Sequence, residues 1–86
     1  MLIYIVAGST GEYDDRYEWN VKAFSSKEKA DDLCGALNKL TEGASKLKHK
    51  ERYELQEMIQ ESLDRLCSID YTGVYYQTEI LELDNE

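Results

Sequence analysis

The chain has 86 residues, 42% of them hydrophobic and 33% charged, a balance that belongs to a globular protein and excludes a disordered one. Eighteen acidic against ten basic residues leave a formal charge of −8, which repels nucleic acid and anionic lipid and favours basic partners. So short a chain reads as one domain, 1–86, burying only roughly 60–65% of the surface that its unfolded form exposes, with no room for separate catalytic and recognition domains.

In chain order, Met1–Val6 is a continuous apolar run in which Ile3, Tyr4, Ile5 and Val6 give the pattern of a strand buried on both faces. Gly8-Ser9-Thr10-Gly11 follows and opens a polar loop carrying Glu12, Tyr13, Asp14 and Asp15. Tyr17–Phe24 then alternates, with Tyr17, Trp19, Val21 and Ala23 on one face and Glu18, Asn20 and Lys22 on the other, as a half-buried strand does. A short loop between two such strands makes a hairpin.

Ser25-Ser26-Lys27-Glu28 fits a capping box with Ser25 as N-cap. Ala30, Leu33, Cys34, Leu37 and Leu40 recur at helical spacing behind it, until Gly43 stops the helix. A second helical pattern runs from about Ser45 to Cys67, with Leu55, Met58, Ile59, Leu63 and Leu66 on one side. Residues 69–73 turn the chain, Val74–Leu83 reads as a closing strand rich in β-formers, and the last residues are expected to fray. This order predicts an α+β fold: a three-stranded sheet, the hairpin plus the C-terminal strand, covered on one face by two helices.

Cys34 and Cys67 each sit in an apolar helical pattern and read as buried free thiols rather than a disulfide framework. No secretory-type start is visible and no run approaches the ~20 apolar residues of a membrane span, so the expected setting is the cytoplasm, away from membranes.

Gly8 and Gly11 raise the question of a phosphate loop. Such a loop needs a lysine to reach the phosphates, and none precedes Lys22, while Glu12, Asp14 and Asp15 would repel an anion. The same acids offer hard oxygens but not the alternating ligand spacing of a calcium loop, so no metal and no cofactor are expected. His49, the single histidine, stands in Lys46-Leu47-Lys48-His49-Lys50 with no nucleophile or orienting acid at a usable spacing, so catalysis is not expected. Glu54, Glu57, Glu61 and Asp64 fall at i+3, i+4 and i+3 steps and line one helix face; with Glu79, Glu82, Asp84 and Glu86 they form a candidate acidic ridge. Aromatic residues near acids suit a basic, Arg-bearing protein surface better than a nucleic-acid platform, which needs positive charge.

Tyr4 and Val6 in the first strand, Tyr13 in the loop, then Phe24, Ser25, Lys27, Glu28 and Ala30 around the helix start form a pattern that resembles small proteins common in bacteria and their phages. The likeness covers roughly the first 40 residues and implies a strand–strand–helix–strand fold. It carries no catalytic residue across, and the second helix read here departs from it.

The leading expectation is therefore a non-enzymatic, acidic protein-interaction module, a phage-type inhibitor that binds a host protein's basic surface through Glu12, Tyr13, Asp14, Asp15, Glu57, Glu61 and Asp64. The alternative is a small-ligand protein that holds a nucleotide-like signal with Lys46, Lys48, His49, Lys50 and Arg52 at a dimer interface. An open three-stranded sheet also leaves edges through which a homodimer could form, with Val74–Leu83 as the seam.

Overall fold

Extended backbone persists well beyond the apolar start of the chain. In the computed structural model, which describes residues 1–12 and 16–84, strand β1 spans Leu2–Thr10 and takes in most of the Gly-Ser-Thr-Gly stretch. Strand β2 covers Tyr17–Phe24 and strand β3 Val74–Glu82; both pair antiparallel with β1, giving the order β2-β1-β3 with β1 in the centre. The expected polar loop thus begins only after Thr10. Gly8 is there for close approach: a Cβ on it would stand 2.6 Å from the Trp19 ring. The glycine makes room for an indole, not for a phosphate.

The strict alternation expected of β2 breaks at one place. Val6 faces Lys22 across the ladder but Ala7 faces Asn20, so Val21 is an extra residue and the strand bulges. Trp19 remains buried and Val21 half-buried, whereas Phe24 takes the inward place and Ala23 is exposed. Tyr17, expected inside, lies outside against the Trp19 ring, their centroids 5.5 Å apart.

Helix α1 spans Lys27–Leu40. Its N-cap is Ser26 rather than Ser25, because the Ser26 hydroxyl is the one that accepts from the Lys29 amide, at 3.3 Å. The chain leaves α1 through Gly43, in the left-handed region at φ +75°, and a single 3₁₀ turn at Ala44–Lys46. Helix α2 then covers His49–Ser62, shorter at both ends than the Ser45–Cys67 pattern. It ends where the amides of Leu63 and Asp64 both donate to the Ile59 carbonyl, at 2.9 Å each, and Asp64 turns inward.

Both helices lie on one face of the sheet, as the α+β expectation holds. The core joins Val6, Trp19 and Tyr76 of the sheet to Ala30 and Leu37 of α1, Ile59 of α2, and Cys67 and Ile69 of the final connection. Fully burying a Val, Leu or Ile contributes about 1.5–3 kcal/mol each, so Val6, Leu37 and Ile59 anchor the sheet and the two helices to one another. Gly73, at φ +91°, closes the turn into β3 with its amide donating to the Asp70 carbonyl at 2.9 Å. Cys67 is buried as expected, while Cys34 is only half-buried.

Candidate functional site

Helix α2 is attached along a narrow line. Ile59 is its one fully buried residue, flanked by half-buried Arg52, Leu55, Gln56 and Gln60. On the opposite side Glu54, Glu57 and Glu61 are all exposed and, at 100° per residue, lie within about 60° of one another. Tyr53 flanks them on one side and Met58 on the other, 55% and 47% exposed. The outer face of α2 is therefore a carboxylate stripe bordered by two large apolar side chains.

The charges of α2 run against the helix's own dipole. Lys48 and Lys50 stand at its positive N-terminus, Glu61 lies in its last turn, and no basic residue is there to balance the C-terminal carbonyls. Glu51 relieves the first turn by accepting from the Lys48 amide at 3.1 Å. Next to the C-terminal end lies an open groove of ≈ 600 Å³ lined by Val21, Lys22, Glu61, Leu63, Arg65 and Leu66 among others. Leu63 and Leu66 are exposed there beside Lys22 and Arg65, so the acidic stripe runs into a mixed concavity with an apolar patch in it.

Asp64 does not belong to that stripe. Extrapolating the helix puts it on the outer face, but the helix ends at Ser62 and the residue is only 2% exposed. Its Oδ2 accepts from Trp19 Nε1 at 2.7 Å and from the Tyr76 hydroxyl at 2.8 Å, and its Oδ1 from the Leu66 amide at 3.1 Å. The Tyr76 hydroxyl also lies 3.3 Å from Cys67 Sγ. Burial is the main cause that pushes the Cys67 thiol up to about 11, and that drives the Tyr76 phenol well above its ordinary range. Asp64 is thus a buried acceptor that ties both outer strands to the α2–β3 connection, and not part of an interaction surface.

The remaining expected residues are dispersed. Glu12 is exposed at the end of β1, while Tyr13, Asp14 and Asp15 lie outside the described residues, as does Glu86 of the proposed ridge. Lys46, Lys48, His49 and Lys50 are exposed around the start of α2. Arg52 is half-buried and donates from Nη1 to the Leu47 carbonyl at 3.0 Å, which ties it to the local backbone. The Asp70–Gly73 turn is knitted to β1 by its own polar network: Gly11 N–H donates to the Thr72 hydroxyl at 3.1 Å, and that hydroxyl donates to Asp70 Oδ1 at 2.7 Å.

Two roles that organise the structure go beyond the sequence reading: that of Asn38, and the polar role of Trp19, which the alternation places only on the inner face of β2. Asn38 reaches from α1 to the edge of β3, and Trp19 serves as a hydrogen-bond donor to a buried acid as well as an apolar core residue. An asparagine interrupting the apolar stripe of a helix, between Leu37 and Leu40, is the signal that could have pointed to the first. Among the described residues no group of three or more His, Cys, Asp or Glu is placed to hold a metal, and no helix is long and apolar enough to cross a membrane. No protein-family model matches the chain, and no curated protein or solved structure is significantly similar to it.

Proposed function

We infer that this chain is a non-enzymatic protein-interaction module that engages a basic surface of a protein partner through the outer face of α2, with Glu57 and Glu61 at its centre. The observation that carries this reading is the composition of that face. Tyr53 and Met58 stay about half exposed beside three carboxylates, on a helix that spends only Ile59 fully on the core. Exposed aromatic and methionine side chains are enriched at protein interfaces, and carboxylates beside them select Lys- and Arg-bearing partners. The groove lined by Leu63 and Leu66 gives an apolar anchor of the partner somewhere to sit. A domain of this size seated on a basic surface excludes whatever else binds there, so the mode of action is inhibition by occupancy, as a phage-type inhibitor of a host protein would use.

The test is charge reversal on the helix. Wild-type chain immobilised in bacterial lysate is expected to retain one partner at both 0.15 M and 0.5 M salt, where purely generic attraction between exposed charges is largely screened. The Glu57→Lys, Glu61→Lys double variant is expected to lose that partner while unfolding at or above the wild-type midpoint. Asp14→Lys with Asp15→Lys probes the β1–β2 loop as the contact instead. Retention undiminished in the helix variant would remove α2 from the interface.

A further inference from the structure

We propose that the outer edge of β3 from Thr78 to Glu82 is a second docking site, independent of α2, which takes an extended segment of a partner protein with alternating apolar and basic residues and adds it as a fourth strand. The argument begins with backbone parity. The Leu83 amide donates to the Met1 carbonyl at 2.7 Å, and Leu81, Glu79, Gln77 and Tyr75 stand opposite Ile3, Ile5, Ala7 and Ser9, so the odd-numbered residues of β3 bond inward to β1. The even-numbered residues present their N–H and C=O to the open edge.

At Tyr76 this edge is closed by a side chain. The Tyr76 amide donates to Asn38 Oδ1 and Asn38 Nδ2 donates to the Tyr76 carbonyl, both at 2.9 Å. One carboxamide thereby does at a single residue what a neighbouring strand would do. Among the described residues, no hydrogen bond reaches the outward N–H or C=O of Thr78, Ile80 or Glu82. Of the usual protections of an edge, a proline, a lysine and a bulge are missing from this stretch, and only the carboxylates Glu79 and Glu82 guard it: the chain contains no proline, the strand reads VYYQTEILE, and the bulge lies in β2. Ile80 is 61% exposed, with Leu81 and Leu83 also exposed around it.

Charge decides the occupant. Glu79, Glu82 and Asp84 are exposed along this end, and Lys27 on the adjoining helix is already paired with Asp31. A second copy paired antiparallel about Ile80 would set Glu79 opposite Leu81 and Glu82 opposite Thr78 with no cation in β3, doubling the carboxylates of one seam unbalanced, which disfavours self-pairing. A segment with lysine or arginine at alternate positions meets the same acids with opposite sign, while its backbone satisfies Thr78, Ile80 and Glu82 and its apolar residues cover Ile80 or Leu81. Asn38 sets the limit of the added strand at Tyr76.

A synthetic hexapeptide alternating valine and lysine, blocked at both ends, is the probe, titrated into ¹⁵N-labelled chain at 0.15 M salt. Hydrogen exchange at the Thr78, Ile80 and Glu82 amides is expected to slow by about tenfold or more on saturation, while Gln77, Glu79 and Leu81, already paired with β1, change little. Ile80→Pro removes one outward N–H and leaves the β1 ladder intact, so affinity is expected to fall about tenfold, the equivalent of one lost hydrogen bond. The exchange readout on wild-type chain stands even if that variant folds poorly. Peptide shifts confined to Glu54, Glu57 and Glu61, or unaltered affinity in Ile80→Pro, would overturn the proposal while leaving the reading of α2 in place. Sedimentation as a dimer that Ile80→Pro dissolves would overturn it too, by making a second copy the occupant.

Discussion

Asp64 shows how far one side chain can depart from the pattern that contains it. Its spacing from Glu61 continues the acidic face of α2, yet two residues of non-helical chain rotate it into the core, where three donors meet it. A carboxylate in such a place is tolerable because each donor compensates part of its lost hydration, and charge-assisted bonds are the stronger kind. Asp64→Asn keeps the shape but has one acceptor oxygen where two are used, so the amide nitrogen faces either the Leu66 N–H or Trp19 Nε1, groups that only donate, and one of them loses its acceptor. The expected loss is about 2–4 kcal/mol, read as a lower urea midpoint at unchanged slope, with the fluorescence of Trp19, the single tryptophan, shifted in the native baseline. A variant as stable as wild type would mean that the three bonds add nothing beyond packing.

At the scale of elements, the order strand, strand, helix, helix, strand was legible because each element carries its own period and its own punctuation. The boundaries were less so, for reasons that lie outside each element. β1 outruns its apolar stretch because Gly8 must lie beneath Trp19, a contact from another strand; the bulge at Val21 answers to pairing, not to alternation. The acids of α2 are legible as a face, but the end of the helix is not, so spacing alone puts Asp64 on the wrong side. Once its limits are known, α2 itself makes a prediction. Glu61 sits in the last turn, where a negative charge opposes the helix dipole. Glu61→Lys reverses that and creates a Glu57–Lys pair at i, i+4 in the favourable order, so α2 and the fold are expected to gain about 0.5–1 kcal/mol, seen as a raised urea midpoint. Partner retention should fall in the same variant. A residue whose replacement stabilises the fold and weakens binding is one kept for its surface; a variant that loses stability would instead place Glu61 among the supports of the fold.

For the molecule as a whole, the buried cluster that joins sheet and connection predicts the response to alkali. Cys67 is raised from 9.0 to about 11, first by burial and then by the Asp64 charge, against which the Tyr76 hydrogen bond works only in part. Tyr76 is raised from 10.0, again first by burial, with Cys67 and Asp64 adding to it. Both groups are neutral when protonated, so the folded chain holds these protons more tightly than the unfolded chain does. The corresponding stability is therefore present in full below about pH 9 and is lost as pH climbs, Cys67 contributing between its unfolded and folded values and Tyr76 from about pH 10 upward. For Cys67 the loss amounts to up to about 3 kcal/mol, a large part of what a domain of this size has to spare. Lys27, held up by Asp31, shifts in the same sense but is fully exposed and screened at moderate salt. The chain is already at −8, and each further ionisation adds to its self-repulsion. Unfolding midpoints at constant 0.15 M salt are thus expected to stay level from pH 7 to 9 and fall steeply from 9 to 11. Cys67→Val removes one titrating group from the cluster and should flatten the first part of that fall, whatever it does to stability at neutral pH. An identical slope in the variant would shift the cause from this buried cluster to the general charge of the surface.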